Sequence, residues 1–444
     1  MKKIKLRKLL AVTLTGVMLL SMAACGSNKT GGNSSKKENG KAIAEEVTGP
    51  ITIEFWHTRG SGANGSHMEK VIERFNDENE YGITVVGTYM GDYGNTASKT
   101  YTALAAGNNP TMIITNADSI TQLANSGVLA DMAPYIERDG FDLDNIPESL
   151  RSYMDWDGKI LSFPYTASTP VFYYNKALWT EEVPTSIEDL ATKGAAIKAK
   201  NPDLKVFALG IDVTFNQRPI LQSMGSNGLM NETGDGAGCL DDGNLETFLT
   251  DWSSWINEGW CETPSVTSGG TKMMQNLLTG KLASMVYSTG SMGNILQTAE
   301  EYGLDIGVSS MVGYGGYAAS VGGGHLLVLD KNHSGQEIAA AWEVIKFLLD
   351  DQQVAENAAD TGYLPITKSS IETDIIKNLW ATHPGYEVAY KQIEIASYNT
   401  RSEYSAEWTN QVHSAISYVI QDKSMKPKDA VDYLKTQEMI IFGN

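Results

Sequence analysis

From Ile51 onward, short apolar runs with the period of a strand alternate with longer runs that have the period of a helix. Ile51, Ile53 and Phe55 alternate with Thr52 and Glu54, as on a half-buried strand. After a Gly/Ser loop that runs to Gly65, Met68, Val71, Ile72 and Phe75 share one helical face, and Ser66 with Glu69 reads as its capping box. Residues 83–87 predict a second strand, parallel to the first if the helix is a crossover. Residues 112–115 predict a third. Asp118 is placed to cap a helix carrying Ile120, Leu123 and Ala124, which Gly127 ends. Strand, helix, strand, helix in this order predicts an open α/β sheet.

The centre of the chain is the stretch from Phe163 to Lys176. Pro164 and Pro170 bracket a hydroxyl-rich segment, and residues 171–174 follow as a β-branched and aromatic strand. Proline has no backbone N–H, so both positions suit a strand start or an edge. A segment pinned in this way can cross between two lobes, with Ser168 and Thr169 facing the space between them. A buried strand after a proline turn is the alternative. Further on, Thr185 and Glu188 predict a capping box, 206–211 a strand, and 227–244 a Gly- and Asp-rich loop. Residues 245–258 predict a helix with Trp252 and Trp255 inward. Residues 273–278 read as a short helix, 282–287 as a strand closed by Ser288-Thr289-Gly290-Ser291, and 327–329 as a strand entered through Gly322-Gly323-Gly324. Residues 336–349 form an amphipathic helical pattern, and the chain from Val388 is mostly helical. No internal repeat is present.

Five Lys and Arg residues and no acid stand in the first 24 positions, followed by an apolar run over residues 9–20 that is too short for a lasting span. Residues 1–24 therefore read as a secretory signal. Residues 27–46 are rich in Ser, Gly, Asn and Lys, and predict a disordered tether. No later run of about 18 apolar residues exists. Formal net charge over the 444 residues is −19. An excess of acid on this scale excludes a broad nucleic-acid face, but leaves room for a small anion held by one Arg and a few N–H groups. Cys239 and Cys261 can pair in an oxidising compartment or remain as two thiols; spacing alone does not decide.

Catalytic signatures are absent. There is no Gly-x-x-x-x-Gly-Lys-Ser/Thr loop, no His-Glu-x-x-His and no Gly-x-Ser-x-Gly. Asp155 and Asp157 lack the later ligands of a calcium loop. No metal and no cofactor is expected, and the chain is expected not to be an enzyme.

Several strings come in a single order: Phe55-Trp56-His57, Gly107-Asn108-Asn109-Pro110, Trp156-Asp157-Gly158-Lys159, Ser168-Thr169-Pro170-Val171-Phe172-Tyr173-Tyr174-Asn175-Lys176, Gly322-Gly323-Gly324, and Thr361-Gly362-Tyr363-Leu364-Pro365-Ile366-Thr367. Together they resemble the extracellular solute-binding proteins of ABC importers, in the sugar-binding branch, most of all those that bind sn-glycerol-3-phosphate or glycerophosphodiesters. Met22-Ala23-Ala24-Cys25 similarly resembles a bacterial lipobox, which implies that Cys25 is diacylated and becomes the mature N-terminus. The resemblance implies a two-lobed periplasmic-binding-protein-like clamp of α/β class with hinge crossovers. One lobe would take residues 49–163 and about 326–368, the other 164–325 and about 369–444, with the tether at 25–48. It implies a monomer on the outer face of the cell membrane that delivers a small-molecule ligand to permease subunits.

The resemblance also implies ligand contacts at Tyr93, Ser168, Thr289, Ser291, Gly323 (or Gly322), Tyr363 and Arg401. The family's acid falls near Asn116 or Ala117, with Asp118 one residue on, and this departure puts glycerol recognition in doubt. A neutral mono- or oligosaccharide is the other ligand class the scaffold serves. A lipid-anchored glycan-acting enzyme and a sensor domain are the rival classes. Arg401 carries the most chemical information, because a guanidinium can grip phosphate through two parallel N–H bonds.

Overall fold

The structure is a computed structural model that describes residues 37–38, 41–42 and 44–443, apart from 61, 267–268 and 398–399. The basic head, the apolar run and Cys25 lie outside the described residues. The strands that build the two main sheets are, in chain order, Ile51–His57 (β1), Ile83–Tyr89 (β2), Met112–Thr115 (β3), Phe163–Pro164 (β4), Pro170–Asn175 (β5), Lys205–Leu209 (β6), Cys261–Glu262 (β7), Leu282–Ser288 (β8), Ile306–Ser310 (β9) and His325–Val328 (β10). One sheet has the order β2-β1-β3-β10-β4, the other β7-β6-β8-β5-β9. In the first, β1 runs parallel to β2 and β3, and β10 is antiparallel to β3 and β4. In the second, β6 is parallel to β7 and β8, and β5 is antiparallel to β8 and β9.

Proline placement follows from the missing N–H. Pro164 closes β4, an edge strand, and Pro170 is the first residue of β5, which then pairs on both sides. The chain between them passes from one sheet to the other.

Helices fill the connections, and their caps differ from the sequence expectations in three places. Helix α1 (Ala63–Glu78) begins after Gly62, ahead of Ser66, because Gly62 takes a φ of 75° and Gly65 has no Cβ to strike the Gly60 carbonyl. Met68, Val71 and Phe75 bury its inner face. Helix α2 is Tyr93–Ala106, capped by Asp92, whose carboxylate accepts from Asn95 N at 2.7 Å. Helix α3 (Ala117–Asn125) has Asn116 at its cap, so Asp118 falls inside the first turn and its side chain lies outside the described residues. Helix α4 (Ile187–Lys200) is capped by Ser186, not Thr185. Helix α5 (Asn244–Asn257) turns Trp252 and Trp255 inward as the periodicity predicts. Helix α6 (Gly335–Leu348) carries a full capping box between Ser334 and Glu337. It buries Trp342 against Tyr135, Phe141 and Phe163. Helices α7 (Asp351–Thr361), α8 (Gly385–Gln392), α9 (Ser405–Ile420) and α10 (Pro427–Phe442) complete the chain.

Cys239 and Cys261 are both free and buried, and burial pushes each thiol up to about 12. The body starts earlier than composition suggests. Ala44 and Val47 pack on the core, Arg138 donates to the Glu45 carbonyl at 2.7 Å, and Gln336 donates to the Glu46 carbonyl at 2.6 Å. Ala44 and Val47, with these two backbone bonds, dock the end of the polar segment.

Candidate functional site

Three segments run side by side between the sheets. Residues 165–168 lie in the middle. On one side, Tyr165 N donates to the Gly324 carbonyl at 2.9 Å, and Ser168 and Gly322 exchange backbone bonds at 2.8 and 2.9 Å. On the other, Leu364 N donates to the Ala167 carbonyl at 2.8 Å. The middle segment is the crossing that the proline-bracketed stretch predicts. The next residue is fixed as firmly: Thr169 N donates to Thr289 Oγ1 at 3.1 Å, and the Gln392 amide donates to Thr169 Oγ1 at 2.6 Å.

Beside the crossings lies a cavity of about 550 Å³ lined from both sheets. Its first wall holds Tyr93, Asn116, Ala117, Tyr153, Thr166, His325 and Tyr363. The facing wall holds Asp212, Phe215, Arg218, Tyr287 and Ser288, and Ser168, Gly322 and Gly323 line it between them. A larger groove of about 850 Å³ lies between α1 and β2, but takes no residue from the second sheet and carries Glu69, Glu73 and Asp77. The cavity between the sheets is the candidate site, since open α/β sheets bind ligands beyond the carboxyl ends of their strands.

Of the residues expected from sequence, Tyr93, Ser168, Gly323 and Tyr363 come together in this cavity. Thr289 is fully buried and holds the crossing instead, and Ser288 takes the lining position in that turn. Ser291 follows Ser288 by three residues and does not line the cavity. Arg401 is not brought to it. That side chain is exposed, donates to the Asp155 carbonyl and sits over the Trp156 ring, with its guanidinium carbon 5.3 Å from the centroid. The arginines at the cavity are Arg218 and, behind its first wall, Arg59.

Arg59 follows β1 by two residues and is 6% exposed. Its Nη1 donates to the Tyr363 hydroxyl at 2.7 Å, and its Nη2 donates to the Tyr93 hydroxyl at 3.2 Å and to Thr166 Oγ1 at 3.0 Å. Its Nε has no partner, and among the described residues no carboxylate pairs with it. Burial works against its charge, yet the hydroxyls of Tyr363, Tyr93 and Tyr165 hold its pKa above the ordinary arginine value. Burial lowers neighbouring His57 to about 4, helped by the Arg59 charge, and lowers His325 to about 4 by itself, so both imidazoles are neutral at pH 7. The sequence signal for Arg59 was a lone cation at the carboxyl end of a parallel strand. Arg218, 2% exposed, donates through Nη1 to Gln222 at 3.1 Å and to Ser397 at 3.0 Å.

Helix termini add to this field. The first residues of α2 and α3, Tyr93 and Ala117, both line the cavity, so two helix N-termini lie at its wall. A two-lobed fold whose walls meet over such a cavity defines a solute-binding protein. Residues 70–384 match the model of the bacterial extracellular solute-binding protein family. The chain belongs to that family; it is the solute-binding protein of an ABC importer and not an enzyme. It is 26% identical over 376 residues to the sn-glycerol-3-phosphate-binding periplasmic protein UgpB of Escherichia coli K12, covering 80% of this chain and 83% of that one. UgpB from Mycobacterium tuberculosis in complex with glycerophosphocholine has the same fold, with a TM-score of 0.77, 21% identity and coverage of 89% and 99%. So has the cyclic α-maltosyl-1,6-maltose binding protein of Arthrobacter globiformis, with a TM-score of 0.75, 20% identity and coverage of 89% and 99%. No helix among the described residues is long and apolar enough to cross a membrane.

Proposed function

We propose that this protein captures sn-glycerol-3-phosphate or a glycerophosphodiester in the cavity between the sheets, closes on it by a hinge motion at the three crossings, and presents it to permease subunits. The observation that carries this reading is the buried, carboxylate-free Arg59 behind a wall that also receives two helix N-termini. Asp92 at the cap of α2 and Asp212 on the facing wall offset part of that field, so the charge of Arg59, which has no carboxylate partner among the described residues, carries the reading. The 26% identity to an sn-glycerol-3-phosphate-binding protein supports the same ligand class. A neutral saccharide is the second reading. It is favoured by the rings of Tyr153, Phe215 and Tyr287 and the carboxylate of Asp212 on the walls, a set suited to sugar faces and hydroxyls.

A thermal-shift panel on the full chain separates the two. At about 100 times its dissociation constant, a true ligand adds roughly 2.7 kcal/mol of stability. Stabilisation is expected from sn-glycerol-3-phosphate and glycerophosphocholine and not from maltose or maltotriose; the reverse pattern replaces the first reading by the second. We further propose that Cys25 is acylated and holds the monomeric protein at the outer face of the membrane. Cys25→Ala is expected to send the protein into the medium, and retention in the membrane fraction of that variant contradicts the anchor.

A further inference from the structure

Each hydroxyl oxygen has one hydrogen to give and two lone pairs to receive with. Arg59 donates to three hydroxyls on the first wall of the cavity: those of Tyr363, Tyr93 and Thr166. Thr166 Oγ1 also accepts from Gly324 N at 2.9 Å, so both of its lone pairs are taken. Arginine does not lose its proton in proteins, so this polarity cannot reverse. Tyr363 and Tyr93 each accept one bond from Arg59 and keep a hydrogen, so each can donate to a group in the cavity while it accepts from the guanidinium. All three residues line the cavity. Gly324 makes the arrangement possible: a Cβ there would lie 2.9 Å from Arg59 Nη2 and 3.0 Å from the Tyr93 hydroxyl.

We infer that Arg59 is a positioning residue that orients the Tyr363 and Tyr93 hydroxyls to donate into the cavity and supplies the countercharge, making this wall the seat of an anionic group of the solute. The inference rests on the proposed capture of a phosphorylated ligand and assigns its phosphate to the β1–α1 side of the cleft, away from Arg401. A phosphate oxygen accepts from Tyr363 and Tyr93 while each of them accepts from Arg59, a chain in which each bond polarises the next. A sugar hydroxyl can accept there too, but brings no charge to balance the guanidinium.

The test is a set of dissociation constants for sn-glycerol-3-phosphate and maltotriose on the full chain and its Arg59→Gln, Arg59→Lys and Tyr363→Phe variants, with circular dichroism to confirm folding. Arg59→Gln is expected to weaken the phosphate ligand roughly 10- to 150-fold, the range for hydrogen bonds to a charged group. Arg59→Lys is expected to recover part of that loss, because it returns the charge without the fork. Tyr363→Phe keeps the ring and removes one link, and is expected to cost about tenfold. If Arg59→Gln does not fold, Tyr363→Phe carries the test. A folded variant, Arg59→Gln or Tyr363→Phe, that binds sn-glycerol-3-phosphate as the wild type does overturns the inference and leaves the proposed function standing. A wild-type chain that binds maltotriose and no phosphate overturns both.

Discussion

Gly323→Ala is expected to destabilise the protein by about 3 kcal/mol and to abolish ligand binding, whereas Gly324→Ala, one residue on, leaves the fold largely intact and damages binding alone. The two glycines face different neighbours. Gly323 has a φ of 150°, a conformation that L side chains avoid, and a Cβ there would lie 1.9 Å from the Thr166 carbonyl oxygen and 3.2 Å from Ala167 Cα. Those atoms are backbone of the central crossing, so the methyl group can be accommodated only by prising two crossings apart. The Ser168–Gly322 pair of hydrogen bonds lies in the path of that movement. At Gly324 the nearest atoms belong to side chains and not to backbone: Ile114 Cγ2 at 2.8 Å, Arg59 Nη2 at 2.9 Å and the Tyr93 hydroxyl at 3.0 Å. They can yield, at the cost of the wall geometry. Urea denaturation and ligand titration of the two variants separate the effects. Equal stability of both variants contradicts the crossing geometry.

Trp342→Ala is expected to cost roughly 3–5 kcal/mol, the range for removing a large buried aromatic. Trp342 is fully buried on α6, with its ring 5.4 Å from Phe141, 5.6 Å from Phe163 and 6.3 Å from Tyr135. Its indole N–H donates to Asp139 Oδ2 at 2.8 Å, beside Lys346 at 2.7 Å from the same oxygen. Truncation therefore opens a cavity and also strips one donor from a carboxylate. Phe163 is the first residue of β4, which leads into the central crossing, so the loss reaches the strand before the crossing as well as the core. Trp342→Phe refills most of the volume and is expected to restore more than half of the stability. The measurement is the urea midpoint; an unchanged slope shows that the folded state has weakened without change in the surface exposed on unfolding.

These two positions also show what was legible in the sequence. The strands at 51–57, 83–89 and 112–115 could be read because alternation or a short apolar run marks burial directly, and Pro164 and Pro170 could be placed because a missing N–H has few homes. Helix starts were displaced for different reasons: the backbone freedom of Gly62 let α1 begin ahead of Ser66, whereas at α3 and α4 a neighbouring cap-forming residue, Asn116 or Ser186, took the position expected of Asp118 or Thr185. At the site, Tyr93, Ser168, Gly323 and Tyr363 were recognisable from the strings around them. Arg59 was not, because its one signal, a cation at the carboxyl end of a parallel strand, does not say that three hydroxyls from residues 34 to 304 positions away will close over it. Arg401 matched the late arginine of the resembling family, and the fold instead leaves it on the surface over Trp156.

We propose that the cavity between the sheets holds a phosphorylated solute. A phosphorus-31 NMR titration of sn-glycerol-3-phosphate with the full chain tests it most directly. The account predicts that the phosphate resonance shifts or broadens and saturates at one equivalent of protein, and that an excess of maltotriose leaves the change in place. A phosphate line unmoved by the protein, together with broadened maltotriose resonances, would contradict it.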